Sequence, residues 1–123
     1  MKITCGTDII EIDRIRESAE NEEFIKRVYT DREIEYCESK HSVKFQHYAA
    51  RFAAKEAVFK AISTNLKDRF DISWKNVEIV NDENGKPKVN FIDKRPKELE
   101  SIDISISHCK LYAVANVVAT WED

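Results

Sequence analysis

The sequence predicts an α+β fold, helices packed on a largely antiparallel sheet, and three observations predict it. Strand-like segments open and close the chain; a long segment free of Gly and Pro and dense in Ala, Lys and Phe lies in the middle; and Ile102, Ile104 and Ile106 alternate with polar residues. With 123 residues, 42% hydrophobic and 35% charged, there is room for one domain, residues 1–123. A chain of this length buries roughly two-thirds of the surface its unfolded form exposes, enough for a core without staples.

Residues 3–12 are rich in Ile and Thr and read as an N-terminal strand, interrupted in character by Gly6 and Asp8. Asn21 can cap a short helix, with Glu22 and Glu23 in its first turn and Lys26 and Arg27 late, each sign agreeing with the helix dipole. Thr30-Asp31-Arg32-Glu33 has capping-box spacing and opens a second helix to about Ser39. Residues 42–63 form the longest helix, and residues 64–74 read as a connecting loop. Residues 77–80 and 89–92 flank Asn84-Gly85, a type I′ hairpin signal. The strand through Ile106 shows one buried face, and residues 111–118 are apolar enough to pair beside it.

Twenty basic and 23 acidic residues give a net charge of −3, which excludes a bulk electrostatic grip on nucleic acid or anionic lipid. Cys5, Cys37 and Cys109 are odd in number and lack C-x-x-C spacing, so no disulfide framework or zinc site is expected and a reducing cytosol fits. Met1 runs into Lys2, Ile3 and Thr4 without an apolar leader, and no run is long enough to span a bilayer.

Two acids break the apolar pattern. On the long helix, Phe45, Ala49, Phe52, Glu56 and Phe59 fall within an arc of about 80°, which sets Glu56 in the apolar seam. Its carboxylate must find a cation, a donor or water: an ion pair with Lys60 one turn on, or a ligand. Asp8 sits inside an apolar strand near Gly6, where the missing Cβ lets a ligand or another backbone approach. For it the choice is a hydrogen bond to a backbone turn or a shared site with Glu56. Two hard carboxylates suit Mg²⁺, which takes one or two of them and fills its remaining positions with water and substrate phosphate. Arg51, Lys55, Lys60 and His108 form a phosphate-sized donor set, although for Lys55 a solvated helix face is the expected place.

Three separated segments resemble the signatures of the holo-acyl-carrier-protein synthase family, the short bacterial 4′-phosphopantetheinyl transferases. They are Gly6-Thr7-Asp8-Ile9-Ile10-Glu11-Ile12-Asp13-Arg14-Ile15, Arg51-Phe52-Ala53-Ala54-Lys55-Glu56-Ala57 with Lys60, and Ser105-Ile106-Ser107-His108. The resemblance implies transfer of the phosphopantetheine arm from coenzyme A to a serine of apo acyl carrier protein, releasing adenosine 3′,5′-bisphosphate, and a place in fatty acid biosynthesis. It implies that Asp8 and Glu56 are Mg²⁺ ligands, that Lys60 neutralises or protonates the leaving phosphate, and that Arg51 and His108 hold coenzyme A phosphates. Arg14 matches a residue facing the acidic recognition helix of the carrier. A cytoplasmic homotrimer with coenzyme A at subunit boundaries is also implied. The serine proton is left to Glu56 or to a metal-bound water. One departure stands out: the family's glycine-rich loop after the long helix is replaced by residues 63–70, which contain no Gly, leaving Lys67 or Arg69 as alternative contacts.

Overall fold

The computed structural model describes residues 1–66 and 71–123. Strand β1 (Lys2–Glu11) leads into helices α1 (Ile12–Ser18), α2 (Glu22–Val28), α3 (Asp31–Glu38) and α4 (Lys44–Ile62), followed by β2 (Val77–Asn81), β3 (Pro87–Phe91), β4 (Leu99–His108) and β5 (Tyr112–Trp121). One sheet has the order β1-β5-β4 and the other is the β2-β3 hairpin, and every pairing is antiparallel. The α+β arrangement is therefore as the sequence predicts. Among the described residues no helix is long and apolar enough to cross a membrane.

The caps form as their residue types require. The Asn21 side chain accepts from the Glu23 amide, and Thr30 and Glu33 complete a reciprocal capping box at the start of α3. Helix α1 is an addition to the predicted elements. No side chain caps it, and Ile12 and Ile15, which it buries, continue the apolar run of β1, so the sequence holds no local break between strand and helix.

Two expectations are corrected. Asn84-Gly85 does not make a type I′ turn, because only Gly85 has a positive φ, 82°. Instead the Gly85 amide donates to the Asp82 carbonyl at 2.9 Å, while the Asp82 carboxylate accepts from the amides of Asn84 and Lys86 at 2.8 and 2.9 Å. The side chain of Asp82 thus holds a five-residue connection with glycine in the left-handed position. The seam of α4 is also different. Phe45, Phe52, Glu56 and Phe59 are only half-buried, whereas Ala49, Ala53, Ala54, Ala57, Val58 and Ala61 have no exposed surface. Small side chains on α4 and at Ala115, Val117 and Ala119 of β5 let helix and sheet approach closely, so the alanines, not the phenylalanines, form the contact.

Gly6 of β1 lies at that contact. A Cβ there would overlap the Ala57 carbonyl oxygen and come within 2.9 Å of the Ala61 nitrogen. Because the obstruction is helix backbone, Gly6→Ala must push α4 off the sheet. We expect a loss of about 3 kcal/mol, seen as a lower urea midpoint, with Gly6→Ser no better; an unchanged midpoint would show that the two layers slide apart freely.

Candidate active site

Gly6 and Asp8 are two residues apart on β1 and so share a strand face. The same register that seats Gly6 against α4 brings Asp8 beside it. Lys60 Nζ lies 3.2 Å from Asp8 Oδ1 and donates to the Thr7 carbonyl at 2.9 Å. Glu56 precedes Lys60 by one helical turn, and Asp8, Arg14 and Glu56 line one cavity of about 360 Å³, walled by Ile10, Phe24 and Phe52. Burial raises the Glu56 carboxyl above its ordinary value, the Asp8 charge raises it further, and Lys60 opposes both.

This geometry corrects both simpler readings. Lys60 pairs with Asp8, not with Glu56, and Asp8 is held by a side-chain cation instead of a backbone turn. A divalent cation suits what remains: two hard-oxygen donors lining one cavity, one already feeling the other's negative charge. Among the described residues no group of three or more His, Cys, Asp and Glu could hold a metal. Asp8 and Glu56 alone would leave most positions around a divalent ion to water and phosphate.

Arg51 and His108 do not join this cavity. Five residues along a helix turn a side chain by about 140°, so Arg51 faces away from Glu56. Arg51 and His108 line a separate cavity of about 170 Å³ with Tyr36, His47 and Asn81. The Arg51 guanidinium sits 3.9 Å from the Tyr36 ring centroid and donates to Asn81 Oδ1 at 3.2 Å. Arg51 is 4% exposed, and its Nε has no hydrogen-bond partner. The His47 and His108 rings lie 5.6 Å apart, and burial, with His108, Arg51 and Lys40 behind it, pushes His47 down to about 4. From about pH 6.5 down to about pH 4 the unfolded chain protonates this imidazole and the folded chain does not, so stability falls across that interval. His47→Phe should flatten that part of the Tm-against-pH curve; a curve identical to the unmodified chain's would contradict it.

Lys55 is not on a solvated face. It has no exposed side-chain surface and forms an ion pair with equally buried Glu33 at 2.7 Å. Its ammonium also donates to the Val28 and Trp74 carbonyls, at 2.7 and 2.9 Å. Glu33 in turn accepts from the Thr30 and Ile79 amides, both at 2.8 Å. Sequence reasoning missed Glu33, His47, Tyr36 and Asn81 as partners. Only His47 carried a usable signal, its spacing of four from Arg51 on one helix face. Lys67 and Arg69 lie outside the described residues.

The chain matches the 4′-phosphopantetheinyl transferase superfamily over residues 4–117. It is 45% identical to a holo-[acyl-carrier-protein] synthase of Ruminiclostridium cellulolyticum, over 100% of this chain and 96% of that protein. It is 44% identical to the synthase of Finegoldia magna, with 100% of both covered. Its fold superposes on the crystal structure of a holo-(acyl-carrier-protein) synthase from Bacillus anthracis in complex with coenzyme A (3′,5′-ADP), with a TM-score of 0.80 at 35% identity, covering 97% of this chain and 96% of that one.

Proposed function

This chain belongs to the 4′-phosphopantetheinyl transferase superfamily, and from that membership we propose that it moves the 4′-phosphopantetheine arm of coenzyme A onto a serine of apo acyl carrier protein. The serine Oγ bonds to the phosphorus carrying the pantetheine, the bond to the adenylate-side oxygen breaks, and adenosine 3′,5′-bisphosphate leaves. The observation that carries the reading is the convergence of Asp8, Glu56 and Arg14 on one cavity with Lys60 anchored at Asp8.

Asp8 and Glu56 would hold Mg²⁺, which when bound supplies neutralisation of phosphate charge and polarisation of the phosphorus. The serine proton passes to Glu56 or to water held beside it in the same cavity. Lys60, held at Asp8 and half-exposed, offers its ammonium to the leaving phosphate. Arg14, exposed on α1 and lining the same cavity, would meet the acidic carrier, where complementary charge speeds encounter.

Arg51 and His108 take coenzyme A phosphates in the second pocket. Because that pocket faces away from Glu56, we assign the two halves of each site to neighbouring copies in a homotrimer. The outer face of β1 and β5 supports this, since Ile3 and Ile9 are each 64% exposed and Val118 49% exposed on one sheet surface. The unpaired Cys5, Cys37 and Cys109 support a cytoplasmic setting.

The test is intact mass of apo carrier after incubation with the chain, coenzyme A and Mg²⁺. A gain of one phosphopantetheine arm, lost with chelator, is the expected result; stoichiometric coenzyme A binding without any gain would make the chain a binding module and overturn the reading.

A further inference from the structure

Resting on the reading of the Arg51–His108 pocket as one that takes a coenzyme A phosphate, we propose that His47 is a further binding residue for that phosphate, joining Arg51 and His108 as a third donor once the anion is in place. His47 lines the pocket on the same face of α4 as Arg51, four residues earlier. Its ring meets Tyr36 edge-on at 5.5 Å and His108 at 5.6 Å. Among the described residues, Arg51 Nε is the buried side-chain nitrogen without a hydrogen-bond partner.

The groups facing His47 are Tyr36 and Lys40 from α3 and the turn after it, Arg51 from its own helix, and His108 from β4; Asn81 of β2 adds a neutral amide. Among the described residues, none of Arg51, His47, His108 and Lys40 forms an ion pair with a carboxylate, and no carboxylate lines the pocket. In the empty pocket burial, reinforced by these neighbours, keeps the imidazole neutral. A phosphate dianion reverses the sign of the local field, so the ring takes a proton from solvent and gains a second N–H donor. A charge-assisted bond to phosphate oxygen follows. Phosphate binding and proton uptake at His47 are therefore coupled, and each strengthens the other.

The full chain can be tested with adenosine 3′,5′-bisphosphate as probe. The His47 ring resonance is followed by NMR against pH, with and without saturating nucleotide. Its midpoint should rise from about 4 by more than one pH unit when the nucleotide is bound. Calorimetry at pH 6 in buffers of different ionisation enthalpy should show greater proton uptake by the unmodified chain than by His47→Phe. That variant keeps the ring packing and should bind the nucleotide roughly tenfold more weakly. A midpoint unmoved by bound nucleotide, or a His47→Phe chain with unchanged affinity and uptake, would overturn the assignment. If carrier is still converted to the holo form in that case, the transfer reading stands and only His47 is removed. Failure of the nucleotide to bind at all would overturn both the assignment and the reading of the pocket.

Discussion

Replacing Lys55 by methionine should lower the unfolding free energy by about 3–5 kcal/mol, the range for leaving a buried charge without its partner. Glu33 would keep the Thr30 and Ile79 amides but lose the ammonium that pairs with it at 2.7 Å. The Val28 and Trp74 carbonyls would lose their ammonium donor as well. Burial pulls the Lys55 ammonium down and the Glu33 carboxylate holds it up, so neither group tolerates the other's removal. Urea unfolding is the measurement: a large fall in midpoint with little change in slope is expected. Because the two side chains form one unit, Lys55→Met combined with Glu33→Gln should lose less than the sum of the single losses. Lys55 neighbours Glu56 in sequence, yet its side chain ties α4 to the end of α2, to α3 and to Trp74. Any loss of transfer in Lys55→Met should therefore track the loss of folded protein, and full stability with abolished transfer would place Lys55 in the active site instead.

Glu56→Gln should reduce phosphopantetheine transfer by about 10²–10⁴-fold while leaving the fold intact. The stability sign follows from the direction of its shift. The folded carboxyl is raised by burial and by Asp8, so the stability it contributes is present below its unfolded pKa and is lost as pH rises through and above it. At neutral pH the native chain thus carries a repulsion that the glutamine variant lacks. Without metal the variant should melt at the same temperature or higher, and that advantage should vanish in acid, where the carboxyl is protonated in both states. Adding Mg²⁺ should reverse the order, because only the chain with both carboxylates gains from the ion. A variant that unfolds at neutral pH without metal would make Glu56 a structural anion and not a ligand.

The parts of the fold that were legible are those written in local chemistry. The Thr30–Glu33 capping box, the Asn21 cap and the alternation through Ile102, Ile104 and Ile106 each need only neighbouring residues to act. What stayed hidden depends on residues far apart. Helix α1 has no cap to announce it, and Asp82 decides the hairpin turn two residues before Asn84-Gly85. The α4 seam was misplaced because phenylalanine outweighs alanine in any apolar count, while close packing on Gly6 requires the alanines. For the site, the cavity that Asp8 and Glu56 share is foreshadowed by two acids out of place in the apolar pattern. The division between a Glu56 face and an Arg51 face was also present in the helix spacing, but only the folded chain shows separate cavities. Lys55 misled because a lysine on a helix is most often solvated, and its partner Glu33 doubles as a capping residue.

The central claim is that Asp8 and Glu56 hold a single divalent ion together. Manganese binding to the full chain in the presence of coenzyme A, followed by electron paramagnetic resonance, tests it directly. One ion per chain is expected, with affinity lowered sharply and to a similar degree in Asp8→Asn and in Glu56→Gln. Retention of native affinity in both variants would contradict the claim.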